Sequence, residues 1–428
     1  MKAVNVSLVV ILVASVLAAC GTTNSKGARS GKPNTQPPAI TLQIVSPAKQ
    51  NSYWRDAVQY PYAVHEAKAK DALDREWKLA YIDEYAGPGD REDAPVVVLL
   101  HCRCGNLGYF NTLIQQLVQD YRVVAFDLPN YGKSIPGNLD LPVTRSLDTS
   151  RDLVYQVLKN ELNISHASLV GHSLGGQWAL GFALKYPMFV DALILESSYG
   201  LEEYQVKPFR FDNRQVDLFN AGYPPEISLP EETWRLNPLY VKEYSLTQGE
   251  LRDRLLFTDE QRDDLLPRWN RRAKSAAGEP PSVTSLFRMS ESDARFFVAS
   301  RAQAAEGNQR EFDQLVRACV WDLYASAAEL RADDEQRLPA RLGQVRARTF
   351  LAFGKHDSYL PNDFMTGESL TVDKLAGAAM TRIRVGGAEV TAKIYDAAAH
   401  TPHLDVPVQF GTDVLNFLKR ETVVDAFR

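Results

Sequence analysis

Ala167-Ser168-Leu169-Val170-Gly171-His172-Ser173-Leu174-Gly175-Gly176 is the stretch that decides the fold. Its first four residues suit a buried strand, and Leu174 to Lys185 reads as a helix. Between the two, Gly171-x-Ser173-x-Gly175 fits the tight strand–turn–helix that projects a serine above the end of a sheet. The turn is so sharp that only glycine at the flanking positions avoids clashes across it. The helix beginning at Leu174 aims its first N–H groups and positive dipole end at the space where negative charge can develop beside Ser173.

Working outward, the same alternation recurs on both sides. Leu79 to Glu84 can form a strand. A turn rich in Gly, Pro and Asp follows at 87–95, and then the apolar run Val96-Val97-Val98-Leu99-Leu100. An apolar run bounded by turn signals suits a strand covered on both faces. Leu107 to Val118 reads as a helix and Arg122 to Phe126 as another buried strand. Residues 147–161 are amphipathic, with Leu153, Val154, Val157, Leu158 and Leu162 at helical spacing. After the central helix, Ala192 to Leu195 is a strand. This order gives βαβ units and a parallel sheet. The pattern stops from about 200 to 345, a charged stretch, helical in tone, that holds Trp234, Trp269 and Trp321. It returns with strands at 349–353 and 392–395 and a last helix near 407–419. No internal repeat is evident. The expected fold class is α/β: a mostly parallel sheet with helices on both faces, interrupted by a large helical insertion.

With these features the chain resembles the α/β-hydrolase family, and within it the branch that carries a cap. The resemblance covers about 76–200 and 346–420. It rests on His101 ending a strand, Asp127-Leu128-Pro129-Asn130-Tyr131-Gly132-Lys133-Ser134, the Ser173 turn, Gly354-Lys355-His356-Asp357 with Pro361, and His400-Thr401-Pro402-His403. The order Ser, Asp, His is the family's own. The resemblance implies Ser173 as nucleophile, His400 as general base and Asp357 as the acid that orients the imidazole. Glu196, after the preceding strand, is the rival acid, and His403, at the start of the last helix, is the rival base. The remaining histidines, His65, His166, His172 and His356, carry no implied role. The oxyanion donors implied are the backbone N–H of Leu174 and that of Arg103.

The loop carrying Arg103 departs from the family. Relatives have His-Gly here, whereas this chain reads His101-Cys102-Arg103-Cys104-Gly105-Asn106. Cys102 and Cys104 replace residues whose missing Cβ lets the loop approach a substrate. Several readings of these thiols stay open: small buried hydrophobes, a bridge from either to Cys319 that would staple the insert to this loop, or a metal site on His101, Cys102 and Cys104 that lacks a second ligand pair. A bridge between Cys102 and Cys104 would close a small, strained ring.

The N-terminus reads as an address. Lys2 precedes an apolar segment from Val4 to Ala19, shorter than a spanning helix, and Leu17-Ala18-Ala19-Cys20 resembles the lipobox of bacterial lipoproteins. The expectations are a signal peptide at 1–19, lipidation at Cys20, and a tether rich in Ser, Gly, Asn and Pro over 20–40. The core would then occupy 41–199 and 346–428, with the cap at 200–345. Gly21 is not the Asp that retains lipoproteins in an inner membrane. The expected location is the bacterial cell envelope, on the periplasmic side of an outer membrane if the host has one.

The 428 residues are 45% hydrophobic and 24% charged, the balance of a folded globular protein and not of a disordered or multi-span chain. A formal net charge of -5, from 48 basic against 53 acidic residues, offers nothing to suggest a nucleic-acid partner. Four cysteines are too few for a disulfide scaffold. The leading expectation is a serine hydrolase acting on a small-molecule ester or related acyl substrate, with no cofactor and no metal, held to a membrane by lipid. An aminopeptidase or amidase of the same fold is the runner-up, and a catalytically silent tethered binding module the third reading.

Overall fold

The computed structural model describes residues 41–42, 53–56, 58–103, 105–134, 147–204, 322, 325–326, 329–330, 335–357, 360–361, 366 and 370–423. Cys20 and the tether, Cys104, Cys319 and the body of the insert with its three tryptophans lie outside the described residues.

Eight of the described strands form one sheet: β1 (His65–Lys70), β2 (Glu76–Glu84), β3 (Val96–Leu100), β4 (Arg122–Phe126), β5 (Ala167–His172), β6 (Val190–Glu196), β7 (Arg348–Gly354) and β8 (Val390–Tyr395). The short segments Thr41–Leu42 and Val58–Gln59 pair antiparallel as a separate ribbon. Their spatial order is β8-β7-β6-β5-β3-β4-β2-β1. Strands β3 to β8 run parallel, β2 is antiparallel to β4, and β1 is antiparallel to β2.

The apolar runs read from the sequence are apolar because both faces are covered. Side chains alternate across a strand, and here each alternate set has its own core. Val98, Leu100, Val124, Phe126, Leu169, Leu193, Leu195, Leu351 and Phe353 face one side. They pack against α2 (Leu147–Gln156), α3 (Leu174–Lys185) and α4 (Val372–Val385). Val97, Leu99, Val123, Ala125, Val170, Ile194, Phe350 and Ala352 face the other, against α1 (Asn111–Leu117) and α5 (Pro407–Leu418). Each such aliphatic side chain contributes about 1.5–3 kcal/mol by leaving water.

From β3 the chain passes through α1 to β4 on one side, then through α2 to β5 on the other side of β3. Chain direction in the sheet therefore reverses at β3 and β5, and the crevice at their carboxyl ends is where such sheets bind ligands. His101 follows β3, Ser173 follows β5, Asp357 follows β7 and His400 follows β8, so these four side chains stand at this one edge.

Candidate active site

Ser173 is the residue between β5 and α3, with φ 58° and ψ -119°. A non-glycine residue held there carries strain of about 1–3 kcal/mol, borne by the packing around it. That packing is tight. A Cβ at Gly171 would lie 2.3 Å from the Gly175 carbonyl oxygen, and one at Gly175 would lie 2.1 Å from the Leu100 carbonyl oxygen. The Ser173 N–H is fastened to the Glu196 carbonyl at 2.9 Å, which ties the turn to the next strand.

The structure brings Ser173, His400 and Asp357 together. His400 Nε2 lies 2.9 Å from Ser173 Oγ, and His400 Nδ1 lies 2.9 Å from Asp357 Oδ2. A carboxylate only accepts, so Nδ1 carries the proton and Nε2 presents its lone pair to the serine hydroxyl. Asp357 is fully buried, and its other oxygen accepts the Leu360 N–H at 3.0 Å. Ser173 and His400 are each 4% exposed.

Glu196 and His403, the two rivals, pair with each other. His403 donates both its backbone N–H (2.7 Å) and its ring Nδ1–H (2.8 Å) to Glu196 Oε1. Both side chains are buried, and the His403 ring is packed among Tyr109, Phe110 and His172. His172, which carries no implied role in the sequence, donates Nε2–H to the His400 carbonyl at 2.7 Å. It therefore holds the backbone of the very residue whose ring meets Ser173. The contact spans 228 positions, and no local pattern announces it.

The loop after β3 is built around His101. Its Nε2 accepts the Leu128 N–H at 2.9 Å, so the proton is on Nδ1, which donates to the Cys102 carbonyl at 2.7 Å. With both nitrogens engaged by backbone, this imidazole has no lone pair left for a metal. The Cys102 carbonyl belongs to the same peptide unit as the Arg103 N–H, so His101 fixes the plane of that N–H. The Gly105 N–H donates to the same carbonyl at 3.0 Å. Farther along, buried Asp127 accepts the Leu107 N–H and the Lys133 N–H, each at 2.7 Å, and ties the loop's exit to β4. Cys102 is buried, with its thiol in hydrogen-bonding contact with the Tyr109 side chain. Arg103 is half-buried. Across the turn, the Leu174 N–H opens α3 and has no partner within the helix.

Burial holds His101 neutral, lowering its pKa from the ordinary 6.5 to about 4. His172 is pushed down well below 6.5 by burial and then by its neighbours His400 and His403. In the unfolded chain both protonate near 6.5, so between there and about 4 the unfolded state binds protons that the folded state refuses. The contribution of these two histidines to stability is therefore full above 6.5 and falls as the pH drops towards 4, by on the order of 3 kcal/mol for His101 alone. Asp322 and Asp127 oppose this loss, because burial pushes their carboxyls up to about 7 and about 6 and the folded state holds those protons. Lowering the pH from 7 to 5 should therefore shift the denaturant midpoint less favourably in the wild type than in a His101→Asn variant.

The chain belongs to the family described as the alpha/beta hydrolase fold, whose sequence model matches residues 95–369. It is 31% identical over 131 residues to the abhydrolase domain-containing protein abhd-5.2 of Caenorhabditis elegans, which covers 29% of this chain and 28% of that one. It is 34% identical over 106 residues to a serine hydrolase-like protein of Danio rerio, covering 24% and 31%. The chain thus spans less than a third of the length of either relative. A crystal structure of a probable hydrolytic enzyme from Pseudomonas aeruginosa PAO1 shares the fold, with a TM-score of 0.59 at 20% identity, covering 86% of this chain and 97% of that one.

Proposed function

We propose that the protein is a serine hydrolase that cleaves a small ester or related acyl substrate through an acyl-enzyme intermediate. The observation that carries this reading is the continuous hydrogen-bonded series Asp357–His400–Ser173 at the carboxyl edge of the sheet. Ser173 Oγ attacks the acyl carbonyl while His400 Nε2 takes its proton, and Asp357 stabilises the imidazolium that forms. The new C–O bond places negative charge on the carbonyl oxygen, which the Leu174 and Arg103 amides receive. The imidazolium gives its proton to the leaving alkoxide as the C–O bond breaks. Water, deprotonated by the same imidazole, then releases the acid and restores Ser173. In this reading Glu196 and His403 support the site without entering the chemistry.

The reading extends to where the enzyme works. Cys20 carries the lipid, the segment to residue 40 is the tether, the 200–345 insert is the cap, and the enzyme stays on an envelope membrane. Metabolic labelling with a fatty-acid probe should mark the wild type and leave Cys20→Ser unmarked; equal labelling of both would contradict the anchor.

The substrate class is tested with detergent-extracted full-length protein on p-nitrophenyl esters and aminoacyl anilides. Ester turnover exceeding anilide turnover by several orders of magnitude is expected. Preference for aminoacyl anilides would make the enzyme an aminopeptidase. A folded protein inert to both substrates and to a fluorophosphonate would make it a silent binding module.

A further inference from the structure

The insert rejoins the core through a short stretch whose described members share a side of a helix. Asp322, Ala325, Ser326 and Glu329 stand at i, i+3, i+4 and i+7, and the first three are helical. Each meets the core. Glu329 takes the buried Arg151 guanidinium in a two-pronged pair of 2.6 and 2.9 Å and accepts from Gln177 Nε2 at 3.0 Å. Ser326 Oγ donates to Gln177 Oε1, and Gln177 Nε2 donates to the Ser326 carbonyl at 3.1 Å. Ala325 packs on Leu147 and on Leu174, the residue directly after Ser173. Arg151 and Gln177 belong to α2 and α3, so this piece of the insert is fastened to the scaffold that carries the nucleophile.

The same face ends at Asp322, which is 8% exposed. It reaches the loop after β3 by two routes. Its Oδ2 accepts the hydroxyl of Tyr131, whose ring stands edge-on to His101 with centres 5.5 Å apart. His101 in turn fixes the Cys102–Arg103 peptide. The second route is charge: burial pushes the Asp322 carboxyl up to about 7, while the Tyr131 hydrogen bond and the Arg103 guanidinium oppose the rise.

We propose that Asp322 is a positioning residue for the second oxyanion donor: through Tyr131 and His101 it holds the Cys102–Arg103 peptide at its working angle, so the insert takes part in the chemical step. This rests on the serine-hydrolase reading above. An acidic residue of the insert then sets the rate common to all substrates, and need not recognise any particular one.

The test compares the full-length wild type with Asp322→Asn, Asp322→Ala, Tyr131→Phe and the Tyr131→Phe/Asp322→Ala double variant on p-nitrophenyl acetate, butyrate and octanoate. Active sites are counted by fluorophosphonate titration, and melting is followed in parallel. Charge on the oxyanion is common to all three esters, so kcat should fall between about tenfold and a hundredfold, by the same factor on each, with KM within about twofold. Asp322→Asn keeps an acceptor for Tyr131, so it should fall less than Asp322→Ala. The double variant should be little worse than Asp322→Ala alone, as residues acting through one peptide are not additive. A change in KM that varies with acyl length would make Asp322 a wall of the acyl pocket and overturn the proposal. Wild-type kcat per titrated site in Asp322→Ala would overturn it too, whatever the melting temperature. A wild type without turnover that depends on Ser173 would overturn the hydrolase reading and this inference with it.

Discussion

Ser173→Ala should leave a folded protein whose ester turnover is about 10⁵- to 10⁶-fold below the wild type, because the atom that forms the acyl bond is gone. The substitution is clean at this position. Alanine keeps the Cβ that the turn already accommodates at φ 58°, and the N–H to the Glu196 carbonyl at 2.9 Å is backbone and survives. Far-UV circular dichroism and the melting temperature should therefore match the wild type while hydrolysis of p-nitrophenyl butyrate collapses. What remains should exceed the rate in water, since the Leu174 and Arg103 amides can still stabilise charge when water attacks directly. Unchanged turnover would move the chemistry away from Ser173 altogether.

The second large effect separates two buried acids that the sequence leaves in competition. Asp357→Asn should lower kcat by about 10⁴-fold, because an amide in place of Asp357 turns the imidazole to the wrong tautomer and removes the charge that balances the imidazolium. Glu196→Gln should lower kcat by less than about tenfold, since its partner is His403 and not His400. Its cost should fall on stability instead. The His403 backbone and ring N–H groups converge on one oxygen, and a neutral amide there holds both less strongly than a carboxylate. Steady-state rates and melting temperatures of the two variants, measured together, decide the matter. A loss in Glu196→Gln equal to that in Asp357→Asn would assign the acid wrongly.

The central strands β3 to β7 were legible because both faces of their middles are covered and so carry apolar runs, whereas the edge strand β8, Val-Thr-Ala-Lys-Ile-Tyr, was read only over 392–395. Strand β1 was not legible. It is an edge strand, His-Glu-Ala-Lys-Ala-Lys, in which only Ala67 and Ala69 turn inward, so charge and small side chains conceal its alternation. Helix α4 lies outside the expectations although its buried Val372, Leu375, Ala376, Ala379, Met380 and Ile383 follow helical spacing closely; the signal was present. At the site, Ser173, Asp357 and His400 could be read because each follows a strand at a fixed place in the topology. Asp357 was favoured over Glu196 by its place after β7, and the distances put Asp357 against His400 and Glu196 against His403. His172 and Asp322 could not be read at all. Their partners lie 228 and 191 positions away, and only the folded sheet edge brings them together. The fold and the place of Ser173 follow from local pattern, whereas the partners of His172 and Asp322 follow from long-range contact.

The central claim is that Ser173 is the activated nucleophile of an assembled site, and covalent capture tests it most directly. Full-length protein treated with a fluorophosphonate and digested should give a single modified peptide, the one spanning Ser173, at one adduct per chain. The adduct should be absent from Ser173→Ala and strongly slowed in Asp357→Asn. An adduct on a different serine, or none on a protein shown to be folded, would contradict the account.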